Sequence, residues 1–408
     1  MIRSAKLSLK FANEGKKNEI KHIFAEAKSV AQKFIDVFWE MEKVPTLAPK
    51  EITKTIDTWL SARMIQCVAK QASGIVRGTK QKQKRREYMI KKLNDSGKFK
   101  NARKVEIAYK NAKISKPTLK TFCLELDSRF VGIDTESKNS FDCWLTLASI
   151  GDKIKLKIPL KRTSVFNKWF KRGKIKNGIR LSENDITIMF DVESEKEKKE
   201  GEIIGVDIGS KNTISCSNGF FSKPNKHGHD LTTISERLSR KRKGSKGFAK
   251  EQAHRDNYIN WSIKQLNLSS AKQVNIENIK QLRFKKRSSR KLSHWTYAKI
   301  FERLERKCEE EGVLLKRISP TYTSQRCSNC GWTRKRNRKG KSFECDKCGF
   351  SLDSDLNASR NISFTLREIS KKQRLSRPNI EGFYWPLEGQ APIVPVVEKS
   401  LNVIKVNV

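Results

Sequence analysis

Four cysteines in the C-terminal half constrain the fold more than any other feature of this 408-residue chain. They form two Cys-x-x-Cys pairs, Cys327 with Cys330 and Cys345 with Cys348, separated by fourteen residues. Each pair can direct two thiolates at one ion, and two pairs complete the tetrahedral ligand set of a structural Zn²⁺. The stretch between the pairs is too polar to form a core, which argues against four unrelated core thiols. We therefore predict one structural zinc ion in a ribbon over 326–350, with no open coordination position.

The charge of the chain indicates the class of its partners. Lys and Arg number 87 against 44 Asp and Glu, which gives a formal net charge of +43. A chain this basic needs a polyanion, and nucleic acid is favoured because each phosphate contact releases condensed counterions. We find no apolar run of 18 residues and no secretory signal, so we expect no membrane partner. The remaining five of nine cysteines are scattered singly, which predicts a reducing cytoplasm.

Two basic clusters are candidate nucleic-acid contacts. A zinc-pinned hairpin would present the charged residues between the cysteine pairs to phosphates. These residues are Arg334, Lys335, Arg336, Arg338, Lys339 and Lys341. A basic loop upstream of the ribbon is a candidate for gating an active site. Its charged residues are Lys285, Lys286, Arg287, Arg290 and Lys291.

The N-terminal half alternates between helical and β-rich character. Residues 4–11 have the apolar and polar alternation of a strand, and an apolar stripe at helical spacing follows until Pro45. A second helix is expected from about Glu51, and a further, charged helix extends to about residue 113. Short β-rich segments over 115–197 are typical of a small antiparallel sheet or barrel, to which the first strand is a candidate member. The helical block would then be an insertion.

The C-terminal half has the pattern of an α/β domain. The charged segment 194–201 is a predicted domain boundary. After it, strands and helices follow one another and are interrupted by the cysteine ribbon. The tail after Pro378 contains three further prolines and is expected to be irregular.

Three acidic residues are candidates for metal-dependent catalysis. Asp207 and Glu277 lie in apolar strands, EIIGVDIGS and KQVNIENI, where a buried carboxylate is costly unless it is compensated. Asp355 precedes the last helix, in DSDLNAS. Three carboxylates from separate elements can hold two Mg²⁺ or Mn²⁺ ions, which promote phosphodiester hydrolysis.

Each acid also has a structural alternative. Asp207 could cap a turn, Glu277 could end a strand, and Asp353 or Asp355 could cap the helix. The Asp-x-Gly pattern after an apolar strand also occurs in actin-like and sugar-kinase folds. Those folds require a second glycine-rich phosphate loop, which we do not find in the sequence.

The order of five motifs resembles TnpB, a transposon-encoded RNA-guided nuclease, and the miniature type V CRISPR effectors that descend from it. The motifs are GVDIGS, NIENI, SPTYTSQRCSNCG, CDKCGF and DSDLNASRNI, within about 200–365. The resemblance implies that Asp207, Glu277 and Asp355 bind catalytic Mg²⁺ or Mn²⁺. Within the last motif it favours Asp355 over Asp353, because the family's acid stands two residues before the Asn, here Asn357.

The resemblance implies a multidomain α+β fold. An N-terminal wedge-like β-barrel would carry a helical insertion, and a C-terminal RNase H-like (RuvC) α/β domain would carry the zinc ribbon. The implied domains are the barrel at 1–12 and 115–197, the helical recognition insertion at 13–114, the RuvC-like domain at 200–325 and 351–370, the target-nucleic-acid-binding ribbon at 326–350, and an irregular tail at 371–408.

The function implied by the resemblance is RNA-guided DNA cleavage at a single active site. The expected partners are a guide RNA, a target double-stranded DNA with a short adjacent motif, and the displaced single strand. The expected location is the prokaryotic cytoplasm, in association with the nucleoid when DNA is bound. Two alternatives are a guide-dependent DNA-binding repressor without cleavage and a guide-free structure-specific nuclease such as a junction resolvase.

Overall fold

The computed structural model divides the chain into two compact units, Met1–Glu193 and Ser194–Val408. The division falls at the start of the charged segment that was predicted as a boundary. Both units mix helices and strands, in agreement with the mixed α/β class expected. No helix among the described residues is long and apolar enough to cross a membrane. The structure describes residues 1–111, 114–136, 140–209, 211–279, 296–364, 366, 382–387, 395–398 and 403–406.

The N-terminal unit consists of antiparallel strands and a block of helices. Its described strands are β1 (Ile2–Ser8), β2 (Leu124–Asp127), β3 (Val131–Asp134), β4 (Cys143–Leu147), β5 (Leu156–Leu160), β6 (Gly173–Leu181) and β7 (Asp185–Val192). Its described helices are α1 (Glu14–Glu40), α2 (Lys50–Lys54), α3 (Ala62–Asp95), α4 (Phe99–Asn111) and α5 (Ser164–Phe170).

The strands of this unit form two separate hydrogen-bonded sheets. One has the order β1-β7-β6-β2 and the other β3-β4-β5. The first strand pairs with the last, from Ile2 opposite Asp191 to Ser8 opposite Asp185. Helices α1 to α4 therefore lie in the chain between strands of one sheet. The ladders do not by themselves close a cylinder, so the barrel stays a prediction.

A helix begins near Glu51 as expected, but it does not continue as one stretch. Helix α2 ends after one turn, where the Thr55 hydroxyl and backbone N–H both donate to the carbonyl of Ile52, at 2.8 and 3.3 Å. Helix α3 begins only after Ser61, whose hydroxyl accepts from the Met64 N–H at 3.2 Å. This N-cap satisfies a free helix-end donor and fixes the new start. Helix α3 then continues unbroken through the basic run to Asp95.

The C-terminal unit contains a mixed sheet, a small ribbon and four described helices. The strands are β8 (Glu202–Asp207), β9 (Ser215–Cys216), β10 (Ala271–Glu277), β11 (Leu314–Ile318), β12 (Trp332–Thr333), β13 (Arg338–Lys339), β14 (Ser342–Glu344), β15 (Ser351–Asp353), β16 (Phe383–Tyr384), β17 (Pro395–Glu398) and β18 (Val403–Val406). The helices are α6 (Leu231–Arg240), α7 (Lys246–Lys264), α8 (Tyr297–Glu310) and α9 (Ser354–Ser363).

The mixed sheet has the order β11-β10-β8-β9. Strand β10 runs parallel to both β11 and β8, and β9 returns antiparallel to β8. Apolar side chains of β8 and β10, with those of the helices, form one buried core. The carboxyl ends of the three parallel strands therefore meet at one edge.

The expectation of an irregular tail was wrong for its described residues. Strand β16 pairs with β12 of the ribbon, and β17 pairs with β18. The ring of Tyr384 contacts that of Trp332 edge to face, at 5.0 Å between centroids. The backbone N–H of Trp385 donates to the carbonyl of Gly331 at 3.0 Å. The segment Phe383 to Trp385 thus packs on the ribbon, a long-range contact that local composition does not reveal.

Helix α9 lies directly against strand β8, and Gly205 makes this approach possible. A Cβ at Gly205 would lie 2.0 Å from the carbonyl oxygen of Ser359 and 2.4 Å from the backbone nitrogen of Ser363. Both are backbone atoms of α9 and cannot rotate away. The absence of a side chain therefore sets the spacing between strand and helix.

Gly205→Ala should destabilise the C-terminal unit by about 1–3 kcal/mol, because the new methyl group forces α9 away from the sheet. Thermal unfolding followed by circular dichroism measures the change. Gly247→Ala is the matched control, since its Cβ would meet side-chain atoms only at 3.8 and 4.0 Å, inside helix α7. That control should raise stability by up to about 1 kcal/mol. Equal melting temperatures for the two variants would contradict the close-approach argument.

Candidate active site

Two acidic residues end neighbouring parallel strands. Asp207 is the last residue of β8 and Glu277 is the last residue of β10. The preceding residues, Val206 and Ile276, are register partners and fully buried. The two carboxylates therefore leave the sheet at the same edge, half-buried, where the apolar strands give way to solvent.

The third acid comes from helix α9. The Asp353 side chain caps this helix by accepting from the N–H groups of Asp355 at 2.9 Å and Leu356 at 3.1 Å. Asp355 lies in the first turn, is only 4% exposed, and directs its carboxylate elsewhere. The capping role considered for both residues thus belongs to Asp353.

The three carboxylates interact electrostatically. Burial, then the charges of Glu277 and Asp355, raise the pKa of Asp207 to about 7, while Arg338 partly opposes the rise. Burial also raises the pKa of Glu277, against the hydrogen bond from Thr323 and the charge of Arg338. Negative charge is therefore insufficiently compensated at this edge of the sheet, which is a setting that attracts cations.

Basic and polar side chains surround Asp355. Arg338 Nη2 lies 3.3 Å from Asp355 Oδ1, and Lys341 Nζ forms an ion pair with Oδ2. Asn212 Nδ2 donates to the same Oδ2 at 3.3 Å. Arg338 and Lys341 belong to the ribbon hairpin, so the ribbon contributes cations directly to the acidic site.

Three residues that form this site were not assigned to it from the sequence. Thr323, whose hydroxyl donates to Glu277 Oε1, is buried in the segment between β11 and the ribbon. Lys341 and Arg338 were expected only as part of a phosphate-contact surface. Their signal was proximity in sequence to the cysteine pairs, which does not reveal that the hairpin folds back onto α9.

The carboxylates have the chemistry of a hard-metal site, although their oxygens are not closely clustered. Among the described residues, only the four cysteines place three or more ligand atoms all within 4.8 Å of one another. Buried carboxylates with raised pKa nevertheless fit Mg²⁺ or Mn²⁺, which prefer charged oxygen ligands. Without a bound metal ion, Arg338 and Lys341 offset the negative charge of Asp355.

The predicted four-cysteine cluster is present in the ribbon. The sulfurs of Cys327 and Cys348 lie 3.8 Å apart, and those of Cys330 and Cys345 lie 3.7 Å apart. Tetrahedral Zn²⁺ with Zn–S bonds of about 2.3 Å requires sulfur separations of about 3.8 Å. The cluster therefore fits a zinc ion.

Each pair of cysteines is built as a tight turn. The N–H of Gly331 donates to the carbonyl of Cys327 at 3.0 Å, and that of Gly349 donates to Cys345 at 2.9 Å. Their φ angles of +84° and +68° lie in the left-handed region that favours glycine. The glycines after each second cysteine thus close the turns.

Asp346 neutralises two of the six ribbon residues predicted to contact phosphates, Arg334 and Arg336. Its carboxylate lies 2.7 Å from Arg334 Nη1 and 2.8 Å from Arg336 Nε, and also accepts from Trp332 Nε1 at 2.7 Å. These pairs hold the two halves of the ribbon together. Lys335 is exposed and has no such contact with Asp346. The five candidates of the basic loop, Lys285, Lys286, Arg287, Arg290 and Lys291, lie outside the described residues.

Comparison with protein families gives a match in this unit. Residues 297–362, which span α8, the ribbon and most of α9, match the family model described as Cas12f1-like, TNB domain. A CRISPR-associated endodeoxyribonuclease Cas12f1 of Sulfoacidibacillus thermotolerans is 45% identical over 76 residues, 18% of this chain and 18% of that protein. A TnpB-like protein of Aquifex aeolicus (strain VF5) is 39% identical over 98 residues, 22% of this chain and 32% of that protein.

Longer similarities are weaker in identity. A Cas12f1 endodeoxyribonuclease of an uncultured archaeon is 25% identical over 240 residues, 49% of this chain and 45% of that protein. A solved Cas12f1-sgRNA-target DNA complex aligns over 89% of this chain and 98% of that chain, with 17% identity and a TM-score of 0.44. The chain covers less than half the length of each of these curated relatives. The sequence matches confirm the resemblance to TnpB-like proteins and miniature type V effectors.

Asp207→Asn should stabilise the protein at pH 8 but have little effect near pH 4. A carboxyl whose pKa is raised to about 7 favours folding below its unfolded value of about 3.9, and this contribution is lost as the pH rises through 7. The neutral amide avoids that loss, so the gain at pH 8 should be up to about 4 kcal/mol. Unfolding in buffer without Mg²⁺ or Mn²⁺ measures it. A gain that is the same at both pH values would refute the electrostatic explanation.

Cys348→Ser should lower the zinc content to well below one ion per chain, because three thiolates and a hydroxyl form a poorer set for this ion. Elemental analysis of the purified protein measures the stoichiometry. Cys308→Ser is the matched control, since this buried cysteine lies on α8 outside the cluster. Equal zinc content in the two variants would exclude the ribbon as the zinc site.

Proposed function

We propose that this chain is an RNA-guided DNA endonuclease that hydrolyses phosphodiester bonds at Asp207, Glu277 and Asp355. The observation that carries the proposal is the meeting of these carboxylates at one edge of the parallel strands. Two of them end adjacent strands, and the third lies on the helix that packs on Gly205. Electrostatic coupling among the three supports a shared role. The family match over 297–362 supports the same assignment.

The proposed C-terminal domain is RuvC-like, with an RNase H fold. The sheet order β11-β10-β8-β9, with one antiparallel strand beside three parallel ones, supports it. We assign 200–325 and 351–370 to this domain and 326–350 to the target-nucleic-acid-binding ribbon. In the N-terminal unit, 1–12 with 115–197 would form the wedge-like barrel.

Mg²⁺ or Mn²⁺ would be held by the three carboxylates. When bound, such ions activate the attacking water and stabilise the leaving oxygen. Thr323 orients Glu277 by a hydrogen bond. Arg338 and Lys341 place two positive charges beside Asp355, where the scissile phosphate would bind. Their pairing with Asp355 supports a role for the ribbon in bringing positive charge to the proposed site.

The proposed nucleic-acid partners are a guide RNA, the target double-stranded DNA and its displaced strand. The net charge of +43 supports contacts with a long stretch of phosphates. In helix α3 the buried residues end at Val76, and the basic residues beyond it leave a long exposed surface. We assign this helical insertion, 13–114, to guide RNA binding. The basic residues of 285–291 are proposed to contact the displaced strand. The protein would act in the prokaryotic cytoplasm, at the nucleoid.

Sequencing of RNA that copurifies with the full chain identifies the guide. Loaded protein with Mg²⁺ should then cleave a DNA duplex that matches this guide beside a short motif. Binding without products would indicate a repressor instead. Tight binding and cutting of branched DNA without RNA would indicate a structure-specific nuclease.

Asp355→Asn should reduce cleavage by about a thousandfold or more, because the remaining carboxylates would bind the catalytic metal poorly. Asp353→Ser is the matched control, since serine retains the cap of α9. It should retain cleavage within about threefold. Asp207→Ala should be as inactive as Asp355→Asn. Full cleavage by either catalytic variant, or equal loss with Asp353→Ser, would overturn the assignment.

A further inference from the structure

A buried polar network connects the cysteine ribbon to the acidic site. Its four central members are almost inaccessible to solvent. They are Thr323 at 1% exposure, Arg326 at 4%, and Asn357 and Asn361 at 0%. Polar groups at this depth cost free energy unless every donor and acceptor is paired. The hydrogen-bond partners of these four residues therefore identify the parts of the fold that the network joins.

Thr323 connects the network to Glu277. Its hydroxyl donates to Glu277 Oε1, while its backbone carbonyl accepts from Asn361 Nδ2 at 3.0 Å. Asn361 lies in α9, the helix that carries Asp355. Thr323 thus contacts the carboxylate of Glu277 and is itself bound by Asn361 of α9, the helix that carries Asp355.

Arg326 connects the same helix to the ribbon. Its carbonyl accepts from Asn357 Nδ2 at 2.8 Å and from Asn361 Nδ2 at 2.7 Å, and its Nη1 donates to Asn361 Oδ1 at 2.8 Å. Asn357 Oδ1 in turn accepts from the N–H of Ser328 at 2.9 Å. The two asparagines, one helical turn apart, therefore hold both sides of the first zinc-ligand candidate, Cys327.

The backbone before Thr323 is held in an unfavourable conformation. Tyr322 has a φ of +58°, in the left-handed region that a side chain of this size rarely adopts. Its carbonyl accepts from the N–H groups of Gln325 at 2.8 Å and Arg326 at 3.0 Å. The surrounding hydrogen bonds maintain this conformation immediately before Thr323, whose hydroxyl donates to Glu277.

We propose that Thr323 is a positioning residue for Glu277, and that Asn361 and Arg326 fix it there from α9 and the ribbon. The inference rests on the proposed function in that Glu277 binds a divalent cation. In this arrangement the ribbon is a structural part of the metal site as well as a surface for nucleic acid. Loss of the Thr323 hydroxyl leaves the carboxylate free to rotate, so metal affinity falls although all three acids remain.

The test is Mn²⁺ binding to the full chain without nucleic acid, followed by electron paramagnetic resonance. Thr323→Val, which keeps the shape of the side chain, should weaken Mn²⁺ binding by about tenfold, since a hydrogen bond to a charged group is lost. Thr323→Ser retains the hydroxyl and should bind within about twofold of the natural protein. Zinc content and melting temperature establish that both variants are folded. Equal Mn²⁺ affinity in the valine and serine variants would overturn the proposal.

A second pair of variants tests the role of Asn361. Asn361→Ala should also weaken Mn²⁺ binding, and combining it with Thr323→Val should add little, because both act through Glu277. If the losses of Mn²⁺ affinity in the two single variants add fully in the double variant, Asn361 does not act through Thr323 and Glu277. The proposed function fails separately, if the natural protein does not bind Mn²⁺ or if Asp207→Ala binds it equally well.

Discussion

Burial strips water from Asp207, and the negative charges of Glu277 and Asp355 repel its carboxylate, so the pKa of Asp207 is raised to about 7. The surrounding C-terminal unit compensates this repulsion from several directions. Arg338 and Lys341 of the ribbon pair with Asp355, and Thr323 donates to Glu277. Parallel strands bring the first two acids together because their carboxyl ends share an edge. The same electrostatic imbalance that costs stability without metal is what makes the site suited to divalent cations.

The parts of the site that could be predicted from the sequence are those with a local signature. The cysteine spacing predicted that four thiols meet, and the sulfur distances fit one zinc ion. Acidic residues within apolar strands were conspicuous because an isolated carboxylate is costly there. Alternating and helical patterns located most strands and helices. In each case the feature depends on residues that are close together in the chain, so it can be recognised in the sequence.

The rest depends on contacts between residues distant in the chain. Asn361 bonds to Thr323 across 38 positions, and neither residue stands out from its neighbours in composition. Asp346 neutralises Arg334 and Arg336, so charge alone overstated how freely these arginines can bind phosphate. Strand β16 of the tail pairs with β12 of the ribbon, more than 45 positions earlier in the chain. Polar networks and late-chain pairings of this kind have no periodicity from which to predict them.

Gly205 has a consequence for how the sequence of this chain can change. The gap between β8 and α9 is set by one missing carbon atom, with the backbone of Ser359 only 2.0 Å from where that atom would be. Core positions with side chains can exchange one methyl group at a time, and their neighbours adjust gradually. No residue intermediate in size exists between glycine and alanine. Any side chain at this position therefore displaces α9 from β8 in one step, and with it Asp355 relative to Asp207.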